Sequence, residues 1–243
     1  MTFSTSRSLL DKELNDVRTN ILRMASLVDT AVGDAMLALH QRNLQLAQQV
    51  IAGDDEINRL RYTIEEECLT TLATQAPAAR DLRTVIAAIH IAVELERMGD
   101  HAAGIARLVA RLEGESEIES LYKLPKMEKQ ARKMLQTSID AYVNNNPAEA
   151  RDLVRRDDKL DKQYRKLYQE SVLAMQDSDY IRRAMYLLWV GHNLERIGDR
   201  CTNIAERVIF MSTGEFVETV EDAIPEKVEK SEDTAVAEVD NPQ

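Results

Sequence analysis

Asn193-Leu194-Glu195-Arg196-Ile197-Gly198-Asp199-Arg200 decides the fold, because a close copy of this stretch occurs in the first half of the chain. The copy is Val93-Glu94-Leu95-Glu96-Arg97-Met98-Gly99-Asp100-His101, in which a Glu, an Arg, a Gly and an Asp recur at the same spacing. Ile105-Ala106 likewise corresponds to Ile204-Ala205. Two copies of this cassette predict a chain built from two copies of one structural unit.

Both cassettes lie on predicted helices, since no Pro interrupts them and their apolar residues step by three and four. The residues predicted to face the core are Ile91, Leu95, Met98, Ala102, Ile105 and Val109 in the first copy, and Val190, Leu194, Ile197, Cys201, Ile204 and Val208 in the second. At about 100° per residue, Glu195 and Asp199 share an outward strip one turn apart, as do Glu96 and Asp100.

Each cassette also carries a glycine inside its helix, Gly99 and Gly198. A Gly in the middle of a helix costs about 1 kcal/mol relative to Ala, so a packing or functional reason is expected. Close approach of a neighbouring helix or of a bound ion would each be such a reason.

The composition is that of an acidic, helical protein. The 243 residues include only 8 Gly and 5 Pro, which predicts long helices and few turns. The net charge of −11 argues against general nucleic-acid binding, which requires a basic surface. Ten acidic residues and two Lys give residues 214–243 a charge of −8, and this tail is poor in core-forming residues, so it is predicted to be mostly disordered.

The cysteines and the hydropathy indicate a cytosolic protein. Cys68 and Cys201 show no CxxC spacing and lie within helical patterns, which predicts reduced, packed thiols. Residues 1–18 contain no apolar signal-peptide core, and no run reaches the length of a transmembrane helix. Any membrane association is therefore expected to be peripheral.

The full chain predicts an all-α fold of two tandem three-helix bundles, residues 7–113 and 118–213, followed by the tail. The turn signals divide the chain into six helices joined by short connections. In the first unit, the helices run from Arg7 to Gln41, from a cap at Asn43 to about Thr74, and from a first turn containing Pro77 to about residue 113. In the second unit, they run from Pro125 to residues 144–146, from a start signal at Asn146-Pro147-Ala148-Glu149 to about Gln176, and from a turn at 177–179 to residues 212–214. Residues 113–120 form the predicted linker.

A second acidic motif precedes each cassette. Asp54-Asp55-Glu56-Ile57-Asn58 matches Asp157-Asp158-Lys159-Leu160-Asp161, and the distances to Asp100 and Asp199 are 46 and 42 residues. The four extra residues of the first copy are expected in the turn that contains Pro77. Asp157 and Asp161 are four apart, so this acidic pair is predicted to face Glu195 and Asp199 across a groove.

Four carboxylates that face one another repel unless something compensates. Arg196 and Arg200 are expected to project away, which leaves a cation between the helices as the simpler account, because hard cations take oxygen ligands. The predicted ligands are Asp157, Asp161, Glu195 and Asp199 in the second unit, and Asp54, Asn58, Glu96 and Asp100 in the first. Asn58 supplies an amide in place of an acid, so the first site has one charge fewer.

Plainer readings of these acids stay open. The strips are also typical of solvated helix faces, and Asp54 and Asp157 also suit the N-terminal halves of helices. His192, one turn before Glu195, is a possible further ligand, although a lone His is more often packed or solvated. No ExxH pair accompanies the acids, so a ferritin-like di-iron site is not expected.

The duplicated Leu-Glu-Arg-(Ile/Met)-Gly-Asp cassettes resemble the PhoU family of regulators of bacterial phosphate-specific transport. The flanking sequences agree: Gln75-Ala76-Pro77-Ala78-Ala79-Arg80-Asp81-Leu82-Arg83 before the first cassette, and Arg200-Cys201-Thr202-Asn203-Ile204-Ala205-Glu206 in the second. The resemblance covers residues 7 to about 214 and omits the acidic tail. Gly104 departs from the pattern, since it stands where the second copy has Asn203.

The resemblance implies an all-helical, often dimeric cytoplasmic protein that represses phosphate uptake and phosphate-starvation signalling. Its implied partners are the ATPase subunit of the phosphate ABC transporter and a sensor histidine kinase. It also implies metal ions at the paired acidic motifs. Fe, Mn, Mg and Zn remain open as the metal.

Two functions compete on the sequence: a metal-binding regulatory adaptor without catalysis, and a metal-dependent hydrolase or oxidase. A third reading, a purely structural helical scaffold, would leave the duplicated acids and glycines unexplained. Catalysis needs a general base or nucleophile beside the metal and a pocket that excludes water. The sequence shows no Ser/His/Asp set and no Gly-rich phosphate loop. The regulatory adaptor is therefore favoured, with no catalytic residue assigned.

Overall fold

The computed structural model describes residues 2–112, 123–155 and 158–217, and within them the chain is helical and contains no strand. The α-helices are α1 (Thr2–Gln41), α2 (Leu44–Gln75), α3 (Arg80–Val109), α4 (Leu124–Val143), α5 (Pro147–Arg155), α6 (Asp158–Ala174) and α7 (Ile181–Thr213). Short 3₁₀ turns, Ala110–Leu112 and Ser178–Tyr180, follow α3 and precede α7. The predicted all-α class is confirmed, with α5 and α6 covering the predicted fifth helix.

Helix starts follow the capping signals of the sequence. The Asn43 side chain accepts from the Leu46 backbone amide at 3.0 Å and opens α2. The Asn146 side chain accepts from the Glu149 backbone amide at 3.2 Å and opens α5, and its side-chain amide also donates to the Glu149 carboxylate at 3.2 Å. Pro125 lies in the first turn of α4, where its missing amide hydrogen costs nothing.

The connection before α3 differs from the prediction. Because α2 ends at Gln75 and α3 begins at Arg80, Pro77 lies in the loop and its predicted place in the first turn of α3 is wrong. The helix cannot start earlier, since Ala79 has a φ of 48° and a ψ of −112°, outside the helical region. The loop also contains Ala76 in the left-handed region, with a φ of 45°.

The four extra residues of the first copy lie in α2 and not in the Pro77 turn. Gln75 to Asp100 and Ala174 to Asp199 are both 25 residues (100 − 75 and 199 − 174), so the stretches from helix end to cassette match. Ile57 to Gln75 is 18 residues, whereas Leu160 to Ala174 is 14. Helix α2 therefore continues one turn further than α6. The predicted linker, residues 113–120, and the tail beyond residue 217 lie outside the described residues.

The apolar stripes on α3 and α7 form the centre of the core, and every residue predicted to face it is buried. These stripes belong to one continuous cluster with buried side chains of α1, α2, α4, α5 and α6. The two units, α1–α3 and α4–α7, in which α5 and α6 together correspond to the single helix α2, therefore pack on each other through the helices that carry the cassettes.

Helices α3 and α7 run antiparallel and contact each other in a nearly symmetric way. Arg200 Nη1 lies 3.3 Å from Glu94 Oε2, and Asn203 Nδ2 donates to the same oxygen at 3.1 Å. Subtracting or adding 99 gives the counterparts: Asn193 for Glu94, and His101 and Gly104 for Arg200 and Asn203. His101 Nδ1 lies 3.0 Å from Asn193 Oδ1, so the pairing repeats with different chemistry.

Gly104 fits the same symmetry, because a Cβ there would lie 3.1 Å from Asn193 Oδ1. The departure from the cassette pattern at Gly104 thus leaves room for Asn193, which is buried and also donates to the Trp189 carbonyl at 2.7 Å. A pseudo-two-fold axis between α3 and α7 explains why paired positions on the two helices meet.

Gly191→Ala should destabilise the protein by about 1–3 kcal/mol, the usual cost of overfilling a packed site. The added Cβ would lie 2.4 Å from Leu167 Cδ2, and Leu167 is buried, so this side chain has little room to move. Gly53→Ala is the matched control, because a Cβ on Gly53 meets nothing within 4 Å. That substitution should stabilise α2 by about 0.5–1 kcal/mol. Urea unfolding measures both, and equal effects would contradict the close packing of α6 on α7.

Candidate metal centre

Three of the four predicted ligands of the second site come together where α6 packs on α7. Asp161, Glu195 and Asp199 each offer a carboxylate oxygen, and these oxygens all lie within 4.8 Å of one another. All three side chains are partly buried, with 19% of Glu195 and 27% of Asp199 exposed. Asp157, the fourth predicted ligand, lies outside the described residues. The predicted acidic groove between the fifth and sixth helices is therefore represented by three carboxylates.

Arg196 partly compensates this cluster. Its Nη1 lies 3.1 Å from Asp199 Oδ2, and its Nε lies 3.7 Å from Glu195 Oε2, so the expectation that it projects away is wrong. The i,i+3 spacing from Arg196 to Asp199 is the signal that the sequence reading missed. Because 38% of the Arg196 side chain is exposed, this pairing contributes only about 0–1 kcal/mol. Arg200 does project away from the acids and pairs with Glu94 on α3.

Burial works against the charged form of Asp161. Desolvation raises the pKa of this carboxyl, as does the neighbouring Asp158, while Arg165 and Lys162 act in the opposite direction. A carboxylate whose charge is disfavoured gains more from a nearby cation than a fully hydrated one does.

His192 borders the second cluster on α7. Its Nδ1 lies 3.6 Å from Glu195 Oε2, and its ring contacts Tyr164 with a centroid distance of 6.0 Å. Burial, Arg196 and His101 lower the pKa of His192, which favours the neutral imidazole, the form that binds metals. A role for His192 as an additional ligand stays a prediction.

The first site is arranged differently. Its amide, Asn58 Nδ2, donates to Asp54 Oδ2 at 3.4 Å, so this side chain supports an acid on its own helix. Burial, followed by the charge of Asp100, raises the pKa of both Asp54 and Glu96. Within the described parts of the chain, only the second cluster brings three ligand atoms within 4.8 Å of one another. The carboxylate oxygens of the first set are therefore further apart.

Gly99 accounts for how Asp54 is held. A Cβ at this position would lie 3.1 Å from Asp54 Oδ1 and 3.0 Å from Ile57 Cδ1, so a side chain here would crowd both residues. Asp54 Oδ1 is buried and has no hydrogen-bond partner among the described residues. A buried acceptor without a partner costs free energy that a bound cation would remove. The mid-helix glycine thus has the packing reason that the sequence analysis required.

The donor sets of both sites fit a hard cation. Asp161, Glu195 and Asp199 would hold it in the second unit, and Asp54, Glu96 and Asp100 in the first, with carboxylate oxygens throughout. Such a cation would supply the positive charge that offsets repulsion among the acids. It would also tie α6 to α7, and α2 to α3.

The family comparison agrees with the duplication. The family model described as PhoU domain matches the chain twice, over residues 21–109 and 124–208, so each match contains one cassette. The chain belongs to the PhoU family. Among PhoU relatives, the phosphate-specific transport system accessory protein PhoU homolog of Clostridium acetobutylicum is 33% identical over 215 residues, covering 88% of this chain and 98% of the relative.

Two solved PhoU structures show the same fold. The crystal structure of PhoU from Pseudomonas aeruginosa has a TM-score of 0.80 and 38% identity, and the match covers 84% of this chain and 99% of that one. The phosphate transport system regulatory protein PhoU from Streptococcus pneumoniae has a TM-score of 0.81 and 32% identity, with 86% and 100% covered. In the described part of this PhoU-family chain, no helix is both long and apolar enough to cross a membrane.

Glu195→Gln with Asp199→Asn should weaken binding of a divalent or trivalent cation at the second site by at least about tenfold, because two of three clustered charges are lost. Unfolding in chelator should change by less than about 1 kcal/mol, since repulsion and the Arg196 ion pair are removed together. Calorimetric titration of Mn²⁺ and chelator melts test both statements. Glu66→Gln with Asp16→Asn, two exposed acids elsewhere, is the control. Undiminished binding would show that these acids serve the fold.

Glu96→Gln should stabilise the metal-free protein at pH 7, and this gain should shrink as the pH falls through the raised folded-state pKa of Glu96 and be nearly absent at the unfolded-state value of about 4.3. Because the folded-state pKa of Glu96 is raised, stability gained by its protonation is present at low pH and is lost as the pH rises through that pKa. The amide is neutral throughout and therefore keeps the gain at pH 7. Chelator-containing urea titrations at pH 4 and pH 7 measure it, with Glu66→Gln on the exposed face of α2 as the control. A loss of stability at pH 7 would contradict the electrostatic account.

Proposed function

We propose that this chain is a non-catalytic accessory regulator of phosphate transport whose two units bind hard metal cations. The observation that carries the proposal is that each of the two family matches contains one acidic cassette, and that the second cassette brings three carboxylate oxygens within 4.8 Å. The names of the relatives support the physiological part, since they describe accessory and regulatory proteins of phosphate-specific transport systems.

The proposed setting is the cytoplasm, where the chain acts as a homodimer on the ATPase subunit of a phosphate ABC transporter. The transporter partnership is supported by the transport system in the relatives' names. A sensor histidine kinase is the second proposed partner, and the family resemblance supports it. As an adaptor between the two, the chain would make kinase activity depend on the state of the transporter.

The alternative is a metal-dependent hydrolase built on the same carboxylates. The clustered acids are 19–27% exposed in the two cassette positions, a partly open setting that suits ion binding more than a water-excluding reaction site. Hydrolysis of a generic phosphomonoester by metal-loaded protein, abolished in the Glu195→Gln, Asp199→Asn variant, would establish the enzyme instead.

Deletion of the gene should raise transcription of the phosphate-uptake genes of its host in high phosphate at least several-fold. The wild-type gene should restore repression, because the proposal makes the protein a negative regulator. Complementation with Glu66→Gln, an exposed change on α2 away from the acids of both sites, is the control for expression. A reporter fused to the uptake promoter gives the measurement. Unchanged expression after deletion would contradict regulation, whatever the metal sites bind.

A further inference from the structure

The C-terminal end of α7 leads the chain to the rim of a second surface feature, which the acidic sites do not involve. This feature is a groove of about 260 Å³ between α1, the start of α3, the end of α4 and the end of α7. It is lined by Leu14, Arg18, Arg80, Tyr142, Val143 and Met211. Apolar side chains share this lining with the polar residues Asn15, Thr84 and Asn145, and two exposed arginines lie at its rim.

The two rim arginines carry charge that the described residues do not neutralise. Arg18 and Arg80 are exposed, and neither forms an ion pair within the described ranges of the chain. The one acid in the groove lining, Asp11, is itself paired with Arg7 at 3.0 Å. The groove is therefore suited to a ligand that combines negative charge with apolar side chains.

The last described residues already turn the chain back onto the bundle. Gly214 has a φ of 82°, and its neighbour Arg83 donates to the Met211 carbonyl at 3.4 Å, which closes α7 beside the groove. Glu215 then pairs with Arg151 at 3.2 Å, and Phe216 stacks on Phe210 with a centroid distance of 4.5 Å. Val217 packs against the core. The chain therefore leaves α7 close against the bundle.

The sequence that follows has the composition the groove requires. Residues 218–243 contain nine acidic residues and two Lys, a net charge of −7 (2 − 9). Within them, residues 218–226 carry four acids, no basic residue, and two large aliphatic side chains, Val220 and Ile224. From Val217, six residues reach about 20 Å when extended, so this segment can span a groove that begins at Met211.

We propose that residues 218–226 occupy the groove of their own chain, with the acids against Arg18 and Arg80 and with Val220 or Ile224 against the apolar part of its lining, Leu14, Val143 and Met211. The tether favours this occupant over a free acidic peptide, because a short linker keeps the segment at an effective concentration of about millimolar. Binding of this segment should weaken as the ionic strength rises, because salt screens exposed ion pairs.

The test uses the full chain with Ala223→Cys carrying a nitroxide label. Cys68 and Cys201 are buried, and burial raises the pKa of Cys68 to about 12, so labelling is confined to residue 223. In ¹⁵N spectra we expect relaxation broadening of Leu14, Arg18, Arg80 and Val143 that disappears when the nitroxide is reduced. Arg18→Glu with Arg80→Glu should remove at least half of it, as should 0.5 M salt. Lys129→Glu with Lys133→Glu, two exposed lysines on α4, makes the same charge change and should leave the broadening intact.

Broadening that is absent, or that is spread evenly over the surface, would overturn the proposal, as would broadening unchanged by the Arg18 and Arg80 substitutions. A mixture of ¹⁵N-labelled unmodified chain and unlabelled nitroxide chain distinguishes a second copy as the occupant. If the groove signals broaden as strongly in that mixture, the segment binds between molecules and docking within one chain is wrong. Failure of this contact would leave the proposed regulatory function untouched, because the two rest on different residues.

Discussion

The antiparallel contact between α3 and α7 is the constraint on which the rest of the molecule depends. Each of these helices must present one stripe to the core, one edge to the other helix and one strip to its own second helix. The cassette meets all three demands within two turns: Leu194 and Ile197 are buried, Arg200 reaches Glu94, and Glu195 with Asp199 faces α6. A shift of one residue along either helix would misplace all three contacts together.

The acidic sites follow from that constraint, because the same helices that fill the core also fix the carboxylates. The acids lose hydration where the second helix of each unit covers them, so their charges repel in partly buried surroundings. The two units answer this repulsion differently. The second places Arg196 beside its cluster, whereas the first uses the amide of Asn58 on Asp54. The two sites therefore differ in the charged groups around them and in the distances between their carboxylate oxygens.

Periodicity and capping chemistry were enough to predict the all-α class, the duplicated units and the buried stripes, since all of these depend on local spacing. The Arg196 contacts were missed because a helix position defines the direction of Cβ but not the rotamer of a long side chain. The place of the four extra residues was missed for a related reason. The sequence gives only the distance between Asp54 and Asp100, and whether that length is helix or loop depends on where the backbone leaves α2 at Ala76 and Ala79.

The sequence correctly placed three predicted ligands, Asp161, Glu195 and Asp199, close together. It could not predict that Asn58 donates to Asp54. An amide four residues from an acid can ligate the same ion or donate to the acid, and the sequence is identical in both cases. The partners of Glu94 were likewise out of reach, because Arg200 and Asn203 come from a helix about a hundred residues away. Contacts between side chains of different helices depend on how the helices are aligned in the folded protein. The local sequence does not indicate that alignment.

The near-symmetry between α3 and α7 has a consequence for how far the two units can differ. An axis that exchanges Glu94 with Asn193 and Arg200 with His101 is the isologous arrangement of two identical subunits, here joined by a linker. Two copies of the first unit would place Glu94 opposite His101, a pairing of acceptor and donor. Because one chain carries both sides of this contact, the two sides need not be identical, and equivalent positions hold residues of different size, Gly104 and Asn203.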